Sequence, residues 1–222
     1  MEQHVLVVFP HPDDETFGCG GTIAQFTKSG VPVTYVCATL GQMGRNMGNP
    51  FFATRESLPK IREAELEKAC EALGIQHVIK LGLRDKTIEF EDPEILSTRI
   101  EGIIREIKPS LVLTHYPGYA VHPDHNALGD VTIRAIARLT AQDRPTVYAH
   151  AFARDCQGLI GQPDIVNDIS AMSEVKLAAI RAHRSQAQLI LGRLANGQLK
   201  KQSSKDSYSH MLKRESFWTY RF

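Results

Sequence analysis

Residues 5–15 read Val-Leu-Val-Val-Phe-Pro-His-Pro-Asp-Asp-Glu, a short apolar run followed at once by a histidine between two prolines and by three acidic residues. The segment from Val5 to Phe9 is typical of strands that are buried on both faces of a parallel sheet. In open α/β sheets, ligands bind at the carboxyl ends of such strands. The residues that follow Phe9 are therefore predicted to lie at a binding site.

The rest of the chain continues as an alternation of strands and helices. The predicted strands are residues 5–9, 31–39, 77–81, 111–114 and 146–152. The predicted helices are residues 20–29, 55–73, the segment between Asp92-Pro93 and Pro109, 124–139 and 170–191. This alternation predicts an α/β fold, a Rossmann-like, mostly parallel sheet with helices on both faces. A length of 222 residues fits one domain over residues 1–222.

The C-terminal region has a different composition. Residues 196–210 are polar and rich in Lys, Gln and Ser, which predicts a mobile surface loop. The chain then closes with four aromatic residues, Phe217, Trp218, Tyr220 and Phe222. Aromatic side chains seldom end a free tail, so these are expected to pack on the domain or on a neighbouring subunit.

The charge balance excludes two classes of partner. The chain has 26 Lys and Arg against 25 Asp and Glu, a formal net charge of +1. Nucleic acids and anionic membranes select a concentrated excess of positive charge. The predicted partner is therefore a small molecule, with no nucleic acid and no membrane.

The sequence also predicts a compartment. The N-terminus enters its apolar run without a basic segment or a cleavage site. No apolar segment approaches the roughly 20 residues that span a bilayer. Cys19, Cys37, Cys70 and Cys156 lie far apart and form no Cys-x-x-Cys pair, which predicts buried thiols in a reducing compartment. A cytoplasmic protein is the resulting expectation.

A second segment with candidate catalytic or metal-binding residues follows the fourth predicted strand. Residues 121–126 there read Val-His-Pro-Asp-His-Asn. If the first and fourth strands are neighbours, as in the common doubly wound order, this loop meets residues 10–15 where the strand order reverses. A His-x-x-Asp and a His-x-x-His then face each other. Each motif alone is common on loops, but two His-Pro-Asp segments in equivalent loops favour a metal site.

Imidazole and carboxylate groups suit a divalent metal. A catalytic zinc keeps three protein ligands and one open position for water, whose pKa falls to about 7. A neighbouring carboxylate that is not a ligand can deprotonate that water, so adjacent Asp13 and Asp14 predict a division between base and ligand. A dinucleotide loop over residues 18–21 is disfavoured, because Ile23 stands where the third glycine belongs.

These motifs resemble those of the PIG-L or LmbE-like family of zinc-dependent deacetylases. The resemblance runs along nearly the whole chain and includes Arg62-x-x-Glu65, Asp85 and Ala182-His183-x-Ser185-Gln186. Residues 44–50, 84–87 and 217–220 are more specifically similar to the bacillithiol biosynthesis deacetylases of the second type. The resemblance implies the LmbE-like fold for the chain.

The resemblance also implies a metal centre. His11, Asp14 and His125 match the family's zinc ligands, and Asp13 matches the general base that activates water. Zinc is the implied cofactor, although two histidines and one carboxylate also accept ferrous iron.

Two further residues are expected to act in the reaction. His122 matches the histidine that acts as an acid or stabilises the oxyanion. A protonated imidazole at such a place lowers the barrier, and one donor of this kind is worth ~3–4 kcal/mol. Asp124 is expected to orient His122 by a hydrogen bond.

Arg62, Asp85 and Arg45 are the predicted substrate-binding residues. Arg62 could pair with a carboxylate such as malate, or with Glu65 three residues along the same predicted helix. Asp85 is expected to contact sugar hydroxyls. Arg45 lies in a Gly-containing loop that either folds over the pocket or leaves the arginine in solvent.

The resemblance implies removal of the acetyl group of N-acetylglucosaminyl-malate, on the way to bacillithiol, by a metal-bound water. Two alternatives stay open: a deacetylase or amidase of another N-acetylglucosamine conjugate or thiol conjugate, and a metal-binding module without turnover. A homo-oligomer is expected, because relatives commonly assemble.

Overall fold

The computed structural model describes residues 2–195 and 208–222. In these residues the strands are β1 (Val5–Phe9), β2 (Val33–Thr39), β3 (His77–Leu83), β4 (Leu111–His115), β5 (Thr146–His150), β6 (Ile165–Asp168) and β7 (Arg214–Thr219). The helices are α1 (Asp14–Lys28), α2 (Leu58–Leu73), α3 (Pro93–Ile107), α4 (Pro123–Ala137), α5 (Cys156–Ile160), α6 (Ser173–Ala182), α7 (Arg184–Ala195) and α8 (Tyr208–Met211). Short 3₁₀ turns lie at Ile88–Phe90 and Ser170–Met172.

The strands form a sheet in the order β3-β2-β1-β4-β5-β7-β6. The first five strands are parallel, and β7 runs antiparallel to β5 and β6. Every side chain of β1 is fully buried: Val5, Val7 and Phe9 join a core with α1, α2 and α6, whereas Leu6 and Val8 join a core with α3 and α4. The predicted α/β fold, with a mostly parallel sheet between two helical layers, is confirmed.

The strand order reverses at β1. This strand pairs with β2 on one side, where Val5 lies opposite Val33, and with β4 on the other, where Val5 lies opposite Leu111. The chain therefore leaves β1 and β4 toward opposite sides of the sheet, and the loops after these strands flank a crevice at their carboxyl ends. The adjacency of the first and fourth strands, on which the predicted site depends, is observed.

The first helix begins earlier than the sequence predicts. It starts at Asp14 rather than at residue 20 and has a kink at Cys19, where φ is −148°. Glycines disfavour a helix interior, but the glycine-rich segment is needed here because a Cβ on Gly21 would clash with the side chain of Ile169. The predicted start at residue 20 was wrong because the close packing of Gly21 against Ile169 outweighs the low helix propensity of glycine.

The predicted helix over residues 170–191 is divided in two. The backbone leaves helical geometry at His183, between α6 and α7. The His183 ring is fully buried with Nε2 2.8 Å from Glu15 Oε1, and the Ser185 N–H donates to Glu65 at 2.7 Å. These buried polar contacts fix the break, which apolar periodicity alone does not reveal.

The C-terminal aromatic residues pack on the chain's own fold. Phe217 and Trp218 lie in β7 and are buried, and the Trp218 indole N–H donates to Gly161 O at 2.9 Å. Packing of these two residues on the domain is therefore confirmed, while Phe222 is 50% exposed. Of the predicted loop over residues 196–210, residues 196–207 lie outside the described residues and the remainder enters α8.

Two composition-based expectations can be compared with the fold. All four cysteines are buried and unpaired, as predicted. Among the helices of the described residues, none combines the length and the hydropathy that a membrane crossing requires.

Candidate active site

The two histidine-bearing loops run directly into helices. Asp13 occupies the N-cap position of α1 with a left-handed φ of 110°, and His122 occupies the N-cap position of α4. The backbone N–H of His11 donates to Asp14 at 2.9 Å, and that of Asp124 donates to His122 Nδ1 at 3.1 Å. These local hydrogen bonds hold the side chains at the carboxyl ends of β1 and β4.

Ligand atoms of three residues converge between the loops. His11 Nδ1 lies 3.1 Å from His125 Nε2 and 3.4 Å from Asp14 Oδ2, and His125 Nε2 lies 3.3 Å from Asp14 Oδ1. Donors about 2.0–2.2 Å from a tetrahedral zinc are separated by roughly 3.3 Å, so this spacing fits one cation. Burial opposes the charge on Asp14, but His125 and His11 hold its pKa well below the usual value.

The outer nitrogens of both rings have acceptors of their own. His11 Nε2 lies 3.1 Å from Asp124 Oδ2 and 3.1 Å from Asp85 Oδ1, while His125 Nδ1 lies 3.1 Å from Ala120 O. Such contacts fix the tautomer, so that the inner nitrogen of each ring carries the lone pair that a metal needs. Burial disfavours a charged ring, but the carboxylates raise the pKa of His11 well above its ordinary value.

The Asp124 carboxylate contacts His11 and two backbone N–H groups. It is fully buried and accepts the backbone N–H groups of Lys86 at 2.6 Å and Ile88 at 3.2 Å, besides its contact with His11. These contacts turn the carboxylate beneath His11, and only the backbone N–H of Asp124 reaches His122. The expected hydrogen bond between Asp124 and His122 is thus formed by the backbone N–H of Asp124, while its carboxylate contacts His11.

Asp13 precedes Asp14 in the chain and lines the same cavity as His11. Its backbone N–H donates to Glu15 Oε2 at 2.9 Å, and Arg62 lies 3.2 Å from its carboxylate. Burial raises the pKa of Asp13 to about 6, although Arg62 acts in the opposite direction. A carboxylate with such a pKa is suited to accept a proton near neutral pH.

Arg62 is occupied by the protein. Its buried guanidinium donates to Gly41 O at 3.0 Å and to Pro12 O, in addition to Asp13. Glu65, the alternative partner suggested by the sequence, instead accepts two hydrogen bonds from α7. Arg62 therefore holds the loop that carries Asp13 with three of its five N–H donors, while its buried Nε has no hydrogen-bond partner among the described residues.

The side chains surround a cavity of about 280 Å³ at the carboxyl ends of the strands. Six of the nine predicted site residues line this cavity, and Asp14, Asp124 and His125 lie behind its wall. The full lining consists of His11, Asp13, Met43, Gly44, Arg45, Arg62, Asp85, Lys86, His122 and Gln186. The structure thus brings most of the predicted site residues together at one cavity.

Two cavity residues have shifted pKa values of different origin. Burial acts against ionisation of Asp85, but His11 and the Met43 N–H lower its pKa to about 2. Burial, followed by the neighbouring rings of His11 and His125, lowers the pKa of His122. Asp85 is therefore charged, and the surroundings of His122 favour its neutral form.

The cluster offers several combinations of metal ligands. The ring of His115 stacks on that of His125, with 4.1 Å between the centroids, and so also reaches the centre. Three groups have ligand atoms within 4.8 Å of one another: His11, His122 and His125; Asp14, His115 and His125; and His11, Asp85 and Asp124. A possible His/Asp metal site is present.

Sequence reasoning assigned no role to two residues of the site, Glu15 and Lys86. Glu15 is fully buried and connects the Asp13 N–H to the ring of His183. Both the acid after Asp14 and the late histidine were visible as motif residues, but their contact spans 168 positions. Lys86 lies in a surface loop, where the spacing of residues follows no helical or strand period and does not predict which side chains reach the cavity.

The site agrees with the similarity of the chain to known proteins. A model of the PIG-L family, described as GlcNAc-PI de-N-acetylase, matches residues 6–136. A Bacillus cereus protein named "Probable N-acetyl-alpha-D-glucosaminyl L-malate deacetylase 2" is 49% identical over 223 residues, 100% of both chains. A Bacillus subtilis protein of the same name is 47% identical over 100% of this chain and 99% of the relative. The structure of N,N'-diacetylchitobiose deacetylase from Pyrococcus horikoshii aligns with a TM-score of 0.73 and 26% identity, over 97% of this chain and 83% of the other.

Proposed function

Since the chain belongs to the PIG-L family of GlcNAc-PI de-N-acetylases, we propose that it hydrolyses the acetamide of N-acetyl-α-D-glucosaminyl L-malate. Water adds its oxygen to the acyl carbon, the C–N bond breaks, and the products are acetate and glucosaminyl-malate. The full-length similarity to the two Bacillus relatives supports this substrate and a place in bacillithiol biosynthesis. The observation that carries the chemistry is the convergence of ligand atoms from His11, Asp14 and His125 at the cavity that Asp13 lines.

The proposed metal is one zinc ion held by His11 Nδ1, Asp14 and His125 Nε2. The donor separations of 3.1, 3.3 and 3.4 Å and the mixed nitrogen and oxygen set support this choice. A bound zinc would make a coordinated water acidic near neutral pH. Ferrous iron accepts the same donors, so reconstitution with each metal separately tests the assignment.

Asp13 is the proposed base. It accepts a proton from the attacking water and returns it to the leaving nitrogen. Arg62 and Glu15 support this role because they hold its carboxylate and its backbone in a left-handed conformation. The backbone strain is thus balanced by buried hydrogen bonds on both sides.

His122 is the proposed donor to the oxyanion. Its Nδ1 accepts the Asp124 N–H, so the proton of the neutral ring resides on Nε2 and can be donated. The lowered pKa of His122 favours this neutral donor over the imidazolium expected from the sequence.

Asp85 uses one oxygen for His11 and the other for the Met43 N–H, and its remaining lone pairs are proposed to accept a sugar hydroxyl.

Acetate release from the zinc-loaded protein tests the proposal. We expect N-acetylglucosaminyl-malate to be hydrolysed faster than N-acetylglucosamine, and Asp13→Ala to lower kcat by about 100-fold or more with zinc still bound. Asp130→Ala, at a half-exposed position of α4 outside the cavity lining, is the control and should retain activity. Zinc binding without acetate release from any substrate would identify a non-catalytic module. Equal turnover of the two sugars would reject the malate conjugate.

A further inference from the structure

The cavity holds more positive charge than its acids neutralise. Asp13 pairs with Arg62, and Asp85 contacts a histidine. The other cations of the lining, Arg45 and Lys86, are exposed, and neither forms a salt bridge with any residue in the described ranges. The mouth of the cavity is therefore suited to a ligand that brings negative charge of its own.

Lys86 is carried by a fixed piece of backbone. Its φ is 67°, and its N–H donates to the buried carboxylate of Asp124 at 2.6 Å. The N–H of Ile88 reaches the same carboxylate at 3.2 Å. Two hydrogen bonds to one buried acid thus hold the base of the lysine side chain beside the reaction centre.

The loop that carries Arg45 is also anchored. The Met43 N–H donates to Asp85 at 2.8 Å, and Arg55 donates to the carbonyls on either side of Met43, at 2.9 Å each. Asp85 and Asp124 both contact His11, so the two cation-bearing loops are tied to the same ring. The backbone positions from which both side chains extend are therefore set by the fold.

We propose that Arg45 and Lys86 bind the carboxylates of the substrate's aglycone and thereby select an acidic conjugate over a neutral one. This inference rests on the proposed function, in which the aglycone is malate with two carboxylates. Arg62 is already paired with Asp13 and with two backbone carbonyls, so it brings less uncompensated charge to the aglycone than Arg45 and Lys86 do. Arginine offers a forked donor for one carboxylate, and lysine offers a mobile point charge for the other.

A pair of substrates isolates this effect. N-acetylglucosaminyl-malate and methyl N-acetyl-α-D-glucosaminide share the reacting acetamide and differ in the charge of the aglycone. In Arg45→Gln and in Lys86→Gln, we expect the ratio of kcat/KM for the acidic over the neutral substrate to fall about three- to tenfold, mainly through KM. Arg84→Gln, an exposed neighbour outside the cavity lining, is the matched control and should keep the ratio.

A second readout does not depend on turnover. Glucosaminyl-malate and methyl α-D-glucosaminide lack the acetyl group, and their binding to the metal-loaded protein can be measured by calorimetry. If the wild-type chain releases no acetate but Lys86→Gln still weakens binding of the acidic ligand, the proposed function fails and the aglycone site stands. Unchanged ratios and unchanged binding in both variants would overturn the aglycone site, as would an equal loss in Arg84→Gln.

Discussion

The inner wall of the cavity and its rim are built in opposite ways. His11 on the wall, and Asp14 and Asp124 behind it, are buried or nearly buried and hydrogen-bonded within the protein. On the rim, Arg45 and Lys86 are exposed and lack acidic partners in the described part of the chain. An unsatisfied buried polar group costs about 1–3 kcal/mol, so the wall tolerates little change, whereas the rim can vary with the ligand. The wall therefore sets the chemistry, and we infer that the rim sets the choice of substrate.

Removing the charge of Asp124 tests whether the buried carboxylate supports the metal site. Asp124→Asn should lower zinc affinity by about 10–100-fold, because the carboxylate that fixes the His11 ring is lost. Competition with a chelator measures the affinity, and thermal unfolding of the metal-depleted protein shows whether the fold is retained. Asp130→Asn, at a half-exposed position of the same helix, should change neither property.

A different result would restore the role that the sequence suggests for Asp124. If Asp124→Asn leaves zinc affinity unchanged and lowers only kcat, this residue acts on His122 rather than through His11. Asp124 would then not support the metal site, and its contrast with the exposed Arg45 and Lys86 would no longer hold.

A higher salt concentration should weaken the binding of an acidic substrate at the rim and leave the buried wall unaffected. This effect should be smaller than that of Asp124→Asn on zinc affinity. Raising the ionic strength from about 0.05 M to about 0.5 M shortens the Debye length and weakens contacts of exposed charges. We expect KM for N-acetylglucosaminyl-malate to rise severalfold, while KM for the neutral methyl glycoside stays nearly constant. Steady-state kinetics at fixed pH measures both values. An equal response of the two substrates would show that the rim contributes no charge recognition.

The sequence predicts residue types at the site better than it predicts their contacts. The strand at Val5–Phe9 and the two His-Pro-Asp loops were placed correctly, because burial on both sides and position after a strand are local properties. The pairing of Asp124 with His11, across 113 positions, depends on how two helices approach the sheet. No local pattern encodes that approach, so the sequence did not reveal that the Asp124 carboxylate contacts His11.

The same limit applies to the less regular elements. The short strands β6 and β7 pair with each other from segments far apart in sequence, where Ile165 lies opposite Phe217. Lys86 reaches the cavity because its backbone adopts φ of 67° against a buried acid, a conformation that residue type does not predict. Both features arise from tertiary contacts that outweigh local preference.

Anomalous diffraction at the zinc edge, from crystals of the metal-loaded protein, tests the metal centre most directly. We expect one strong peak about 2.0–2.2 Å from His11 Nδ1, from an Asp14 oxygen and from His125 Nε2, with Asp13 outside the first coordination sphere. A peak among His11 Nε2, Asp85 and Asp124, or coordination by Asp13 in place of Asp14, would contradict the account.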